Sequence, residues 1–427
     1  MQGHLQHGAG RWRAAAGILL LLAIAPAQMA TATGVAAEPS SVHRKGATVE
    51  ARRAEVAGDK RLTTFRMGLS RGVRAEIFTL ADPYRVIIDL PDVAFHLPEG
   101  AGQKAQGLVT AFRYGLMAEG KARVVIDTSG PVLIKKANMT AKGGGQSVEL
   151  AIELAPTSVS SFGGGTGSAR AEPPVAEKAP KSAPAVPKNE RSKPLILVDA
   201  GHGGIDPGAT SAGSLKEKTV VLAVAHALKS QLAAGGRYEV RMTRQTDVFV
   251  SLDQRLKMSR ELDADLFISL HADAIAQKGL ANTVRGATVY TLSEQASDEE
   301  AQRMAEKENN SDAAAGLQTA NFEAQGEVRS ILIDLLKRET SNFSADFSNI
   351  LVKRLGTSIS LSGRPQRSAA FKVLRQADTP SVLIELGYMS HPEDEKLLNS
   401  AAWQRRVATA IGTAVDAYFS RRTAKAR

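Results

Sequence analysis

Two domains are predicted by the sequence: an N-terminal all-β sandwich and a C-terminal α/β domain with a central sheet flanked by helices. Three observations lead there. Residues 55–155 hold short runs in which apolar and polar residues alternate between turn-forming Gly, Pro or Asp, the pattern of strands joined by turns. Seven of the 17 prolines then fall between Pro156 and Pro194, together with Gly163-Gly-Gly165, a composition that cannot bury enough surface to fold. From Leu195 onward, strand-like and helix-like segments alternate, as in a layered α/β domain. With 43% hydrophobic and 23% charged residues the 427-residue chain is globular rather than disordered. Cysteine is absent, which excludes disulfides, thiolate metal sites and Cys nucleophiles.

The elements follow in order. Arg11 and Arg13 precede an uncharged stretch from Ala14 to Ala25, and Pro26 and small residues follow it. That order predicts a Sec-type signal peptide over residues 1–27 and export to the periplasm. The stretch is far shorter than the roughly 20 residues needed to span a bilayer, so no transmembrane segment is expected after cleavage. Residues 28–54 are expected to be a flexible segment. The sandwich strands are read at Leu62–Leu69, Ala75–Leu80, Arg85–Leu90, Arg123–Asp127, Val132–Lys136 and Ser147–Leu154. Residues 156–193 are the linker.

In the second domain, expected over 194–420 with a tail at 421–427, strands are read at Leu195–Asp199, Tyr238–Thr243, Leu266–Leu270, Ala287–Leu292, Phe371–Leu374 and Val382–Leu386. Helical spacing marks Val220–Ala233, Leu252–Leu262, Val328–Arg338, Ala345–Leu355 and Ala401–Phe419, with Ser251 and Ser344 placed as N-caps.

Chemistry in open α/β sheets collects beyond the carboxyl ends of the strands, and polar residues gather there in this chain. Asp199-Ala-Gly-His202-Gly-Gly204 follows the first strand, Ser269-Leu-His271-Ala-Asp273 the third, and Glu385 ends the last; Glu217 opens the helix after the first loop. Two imidazoles and a carboxylate, His202, His271 and Glu217, are the ligand types of a catalytic zinc site with an open position for water. Glu385 then fits a general base, and Asp199 and Asp273 are candidates to orient the histidines. Taken singly the signals are weaker. Gly-His-Gly-Gly also suits a phosphate loop or a tight turn, and a His closing a buried strand is often just a hydrogen-bonded core residue. Of the other histidines, His226 reads as packed within a helix, His391 before Pro392 as a helix start, and His96 has no acidic or His company.

Several motifs in order carry a family resemblance: Val198-Asp-Ala-Gly-His202-Gly-Gly-Ile-Asp206-Pro-Gly208, Lys216-Glu217-Lys218, Met242-Thr-Arg244, Asp265-Leu-Phe-Ile-Ser-Leu-His271-Ala-Asp273 and Pro380-Ser-Val-Leu-Ile-Glu385-Leu-Gly-Tyr-Met-Ser390. From residue 195 to about 420 the chain resembles the zinc-dependent N-acetylmuramoyl-L-alanine amidases of type 3, and the upstream β segment resembles the AMIN domain that precedes them in Gram-negative bacteria. The resemblance implies hydrolysis of the amide between N-acetylmuramic acid and the L-alanine of the stem peptide, in septal wall splitting and cell separation. It implies one zinc held by His202, Glu217 and His271, with Glu385 catalytic. Two other readings remain: a zinc peptidase cutting within the stem peptide, and a non-catalytic wall-binding or activator protein.

Residues 296–340 form an insertion, charged at first and then apolar. In the cell-separation amidases an insertion here covers the metal site, an acidic residue of it can take the open zinc position, and a periplasmic activator protein displaces it. The same role is expected here, with Glu306, Glu308, Asp312, Glu323 and Glu327 as candidate plugs.

Charge completes the reading. Lys and Arg outnumber Asp and Glu by 54 to 44, but residues 194–427 hold 29 basic and 28 acidic groups against 25 and 16 in residues 1–193. The basicity therefore belongs to the β domain and its tethers. An exported protein meets no genome, so nucleic acid is excluded and peptidoglycan carboxylates or anionic lipid headgroups remain as the acidic partner.

Overall fold

Nine strands between Val49 and Pro156 form two facing sheets: β1 (Val49–Gly58), β2 (Thr63–Leu69), β3 (Glu76–Leu80), β4 (Arg85–Pro91), β5 (Val93–Phe95), β6 (Val109–Ala118), β7 (Lys121–Thr128), β8 (Val132–Lys142) and β9 (Ser147–Pro156). The computed structural model describes residues 48–142, 147–162, 191–275, 279, 283–317, 331–376 and 378–425. The expected signal peptide, most of segments 28–54 and 156–193, and Glu323 and Glu327 of the insertion lie outside the described residues.

One sheet runs β5-β1-β2-β9-β8 and the other β3-β4-β7-β6. Alternation decides what faces inward: along β2, Thr63, Phe65, Met67 and Leu69 are buried while the residues between them are half-exposed. These meet Ile152 and Leu154 of β9 and Val86, Ile88, Val124 and Ile126 of the opposite sheet. The sandwich begins at Val49 rather than 55, because β1 reads Val-Glu-Ala-Arg-Arg-Ala-Glu-Val-Ala-Gly and its charges point outward. Strand β1 was hidden by its charged outward face and β5 by its length of three residues; β6 is a further strand outside those read from the sequence.

The second domain has a six-stranded sheet, β10 (Leu195–Ala200), β11 (Glu239–Met242), β12 (Leu266–His271), β13 (Ala287–Leu292), β14 (Leu361–Ala369) and β15 (Ser381–Glu385), ordered β11-β10-β12-β15-β13-β14. The four from β11 to β15 are parallel; β13 pairs antiparallel with β15, and β14 runs parallel to β13. The central strands are covered on both faces. Ile196 and Val198 join Ile268, Val382 and Ile384 on one side, and Leu195 and Leu197 join Phe267 and Leu383 on the other. Helices α1 (Glu217–Ala234), α5 (Ile331–Gly356) and α7 (Ala401–Lys425) cover the first face, while α2 (Leu252–Glu261) and α3 (Glu299–Asn309) cover the second. Two short helices, α4 (Ser311–Ala314) and α6 (Pro392–Leu398), complete the domain.

Three expectations change here. Phe371–Leu374 is a single 3-10 turn at Lys372–Leu374, and its apolar residues are buried without pairing. The edge strand is instead β14, Leu-Ser-Gly-Arg-Pro-Gln-Arg-Ser-Ala, whose polar residues and Pro365 suit an edge and conceal it from an apolar search. The helices expected at 328–338 and 345–355 are one helix, α5, over its described length. Ser344 is not its cap but lies within it, donating to Thr340 O at 3.0 Å and accepting the Ser381 N–H of β15 at 3.0 Å. Ser251 does cap α2, in a reciprocal pairing with Gln254.

The sandwich and the α/β domain share a further apolar cluster. Ile87 and Val125, cross-strand partners on the outer face of β4 and β7, meet Ile205, Phe249 and Ala315 of the second domain. The runs Val86-Ile-Ile88 and Val124-Val-Ile126 are continuous because both faces are covered.

Replacing Ser344 by Ala leaves the buried Ser381 N–H without its acceptor. Urea unfolding is expected to show a loss of about 1–3 kcal/mol with an unchanged slope; an unchanged midpoint would mean another group takes over that bond.

Candidate metal centre and active site

The site grows from the order β10-β12-β15, which brings three carboxyl ends together. His271 closes β12 directly beside Glu385, the last residue of β15. His202 lies two residues beyond β10, where the chain turns sharply. Its own φ is 55°, and those of Gly203 and Gly204 are 124° and 56°. A side chain at Gly201 would lie 2.5 Å from the His271 ring, and one at Gly208 2.6 Å from both His202 and Glu217. These two glycines are needed for the close approach.

Two buried arginines brace this loop from behind. Arg244 donates to Ala200 O and Gly201 O at 2.9 and 2.8 Å, and Arg255 to Ala200 O and His202 O at 2.8 and 2.9 Å. Burial and the neighbouring Arg255 push Arg244 down to about 10, still charged at neutral pH.

Glu217, the first residue of α1, is fully buried. Its Oε2 accepts the Ala209 N–H and its Oε1 the Ala272 N–H, both at 2.8 Å. Its Oε1 also stands 3.2 Å from His202 Nε2 and 3.2 Å from His271 Nδ1. Burial opposes the charge, but the two imidazoles beside it hold this carboxyl well below the usual range. His202 Nδ1 donates to Asp206 Oδ2 at 2.7 Å, which turns its Nε2 toward Glu217. Both inward ring nitrogens are buried and make no hydrogen bond. Two orphaned imidazole nitrogens facing one carboxylate oxygen suit a divalent cation better than a proton-sharing network.

A fourth side chain enters from the insertion. Glu308 Oε2 lies 3.5 Å from His202 Nε2 and 3.2 Å from His271 Nδ1. Among the described residues, His202, His271 and Glu308 offer ligand atoms within 4.8 Å of one another. Glu308 closes the last turn of α3, with an anchored residue on either side. Lys307 pairs with the buried carboxylate of Asp273; Asn309 donates to Ala370 O at 2.9 Å and accepts the Lys372 N–H at 2.6 Å.

Glu385 is fully buried, and its Oε2 accepts the Asp273 N–H at 3.0 Å. Its Oε1 has no hydrogen bond. Burial, with the charges of Asp273, Glu217 and Glu308, pushes its carboxyl well above the usual range.

The sequence-predicted residues thus separate. His202, Glu217, His271 and Glu385 converge. Asp199 and Asp273 do not bond a site histidine: Asp199 sits behind the loop, paired with Arg255 and accepting from Thr243 and Ser269 at 2.7 and 2.6 Å, while Asp273 engages Lys307. The residue that orients His202 is Asp206, four residues further along the same glycine-rich loop; an acid that close to a candidate ligand was the signal available in the sequence. Of the candidate plugs, Glu306 bonds Gln302 on the exposed face of α3, and Asp312 caps Leu252 N at 3.0 Å, so Glu308 alone of the described ones reaches the histidines. Outside the site, His226 is exposed rather than packed, bonding Gln245 O, and His391 is the N-cap of α6.

Known proteins match both domains. The N-acetylmuramoyl-L-alanine amidase family model matches residues 196–417, and the AMIN domain model residues 51–154. N-acetylmuramoyl-L-alanine amidase AmiC of Neisseria meningitidis is 31% identical over 371 residues, covering 84% of this chain and 87% of its own length. AmiA of Escherichia coli is 36% identical over 236 residues, covering 55% of this chain and 79% of its own. The catalytic domain of CwlV, from Bacillus (Paenibacillus) polymyxa var. colistinus, aligns with a TM-score of 0.37 at 26% identity, over 53% of this chain and 98% of that one. With the family model matched across the α/β domain and the sandwich matched as AMIN, the chain belongs to the N-acetylmuramoyl-L-alanine amidases, enzymes that hydrolyse peptidoglycan.

Proposed function

We propose that His202, Glu217 and His271 hold a zinc ion and that the chain cleaves the amide between N-acetylmuramic acid and L-alanine in the periplasm, opening septal wall so that daughter cells separate. The observation that carries this reading is the pair of buried, unpartnered nitrogens, His202 Nε2 and His271 Nδ1, converging on Glu217 Oε1. Zinc bound there would polarise the scissile carbonyl and bring the pKa of its water to about 7.

The chain's own groups do the rest. Asp206 keeps the His202 proton on Nδ1 and so leaves Nε2 free to donate its lone pair. Two backbone amides fix the Glu217 carboxylate in place. The Asp273 N–H holds one oxygen of Glu385, and the free Oε1 takes the proton of the attacking water, then passes it to the departing nitrogen of L-alanine. Glu308 stands where substrate must come, so in this arrangement the enzyme is plugged. A periplasmic activator that draws the insertion away opens it. The basic N-terminal half favours the acidic groups of the wall, and among the described residues no helix is long and apolar enough to cross a membrane.

Glu385→Gln keeps the shape but removes the base. Hydrolysis of purified wall is expected to fall by about 10²–10⁴-fold with unchanged circular dichroism. Chelation should abolish lysis and added zinc restore it; the released peptides should begin with L-alanine, whereas any other new amino terminus would mark a peptidase. Glu308→Ala is expected to raise hydrolysis without activator by roughly tenfold or more, a shift of about 1.4 kcal/mol between closed and open forms.

A further inference from the structure

The insertion that carries Glu308 is held at its far end by the sandwich. Past α4 the chain lies on the outer face of β3, β4 and β7. Arg85, 2% exposed, donates to Ala313 O through Nη1. Arg123 donates to Gly316 O at 2.9 Å and more weakly to Ala315 O at 3.4 Å, while its other edge grips Asp89 at 2.6 and 2.7 Å. Ala313 O also accepts the Gly316 N–H at 2.9 Å, and the two fixed guanidinium groups add charged donors at this negative helix end. The backbone presses close: a side chain at Gly316 would lie 2.7 Å from Ile87 Cδ1 and 3.1 Å from Val125 Cγ2. Ala315 is fully buried in the cluster formed with Leu80, Ile87 and Val125.

The same domain also touches the loop behind the metal ligands. Leu116 O of β6 accepts the N–H groups of Ile205 and Phe249 at 3.3 and 3.2 Å, and a side chain at Gly115 would lie 2.4 Å from the Gly204 backbone. The sandwich therefore braces both the loop bearing His202 and the segment bearing Glu308. Only seven residues separate Glu308 from Gly316 in the chain, so the plug and the docked end move as neighbours.

We propose that the outer face of β3, β4 and β7 is a docking surface for residues 313–317 of the same chain, and that this docking keeps the amidase closed. The AMIN domain then has two roles: an inhibitor while this face holds the insertion, and a wall anchor. Anything that takes this face in place of the insertion favours the open enzyme. The proposal rests on Glu308 being the plug, and the two ideas can be tested apart.

The full chain, zinc-loaded, is compared as wild type, Arg85→Ala/Arg123→Ala, Ala315→Arg and Glu308→Ala. Activator-free hydrolysis of solubilised wall polymer is measured beside hydrogen exchange of the amides in 299–316. Ala315→Arg sets a cation against Arg123 from the insertion side and leaves the sandwich untouched, which guards against misfolding of the double variant. Docking predicts faster exchange in 299–316 and roughly tenfold more hydrolysis in both latch variants, the usual weight of one charge-assisted hydrogen bond. Adding Glu308→Ala to either should give no further gain. Wild-type hydrolysis in both latch variants overturns the docking proposal, whether or not exchange changes. If that happens while Glu308→Ala is activated, the plug survives alone; if Glu308→Ala is not activated, the plug reading fails whatever the latch variants do.

Discussion

A carboxylate without access to water sets the terms for this active site. Removing the charge of Glu217 from solvent is costly unless every oxygen finds a partner. The structure meets the cost with two backbone N–H groups and two imidazoles. Each partner comes from a different element: Ala209 from the loop after β10, Ala272 and His271 from the end of β12, His202 from the glycine turn. Glu217 thus ties together the loop after β10, the end of β12 and the start of α1. The glycines and the arginine brace follow from this demand, since the loop must approach closely and its carbonyls must be bonded where no water reaches.

Glu308 occupies the same spot on weaker terms. Its Oε1 is buried without a hydrogen bond, whereas both oxygens of Glu217 are bonded. Held only by its own carboxylate, Glu308 would be poorly satisfied. It is instead fastened by its neighbours, Lys307 on Asp273, Asn309 on the backbone near β14, Asp312 on the start of α2, and the guanidinium groups of Arg85 and Arg123 beyond. A segment fastened by many modest anchors can be stable at rest and still be displaced by competition at one or two of them.

Much of the fold was readable because alternation is a local property. The buried faces of β2 and β9 and the apolar runs of β10, β12 and β15 announced themselves, and so did the Ser251 cap. Polar strands did not. β1 and β14 owe their pairing to neighbours rather than to their own apolar content, and a helix as long as α5 hid behind a serine that looks like a cap until β15 is seen to use its hydroxyl. The runs Val86-Ile-Ile88 and Val124-Val-Ile126 carried more information than a sandwich strand requires: three consecutive apolar residues mean that both faces are covered. The basic excess of the N-terminal half likewise looks different, since Arg85 and Arg123 are spent within the chain rather than offered to the wall.

What the sequence determined by itself is a set of residue types, His202, His271 and Glu385 at strand ends and Glu217 opening α1, together with ordered motifs whose resemblance pointed to the amidase family. Only the tertiary structure decided which acid of the insertion meets the histidines, which acid bonds His202, and what the sandwich leans on. Ligand types follow from side-chain chemistry and short spacing. The choice among Glu306, Glu308 and Asp312, or between Asp199 and Asp206, depends on helix phase and loop path, where a shift of one or two positions turns a buried partner into an exposed one.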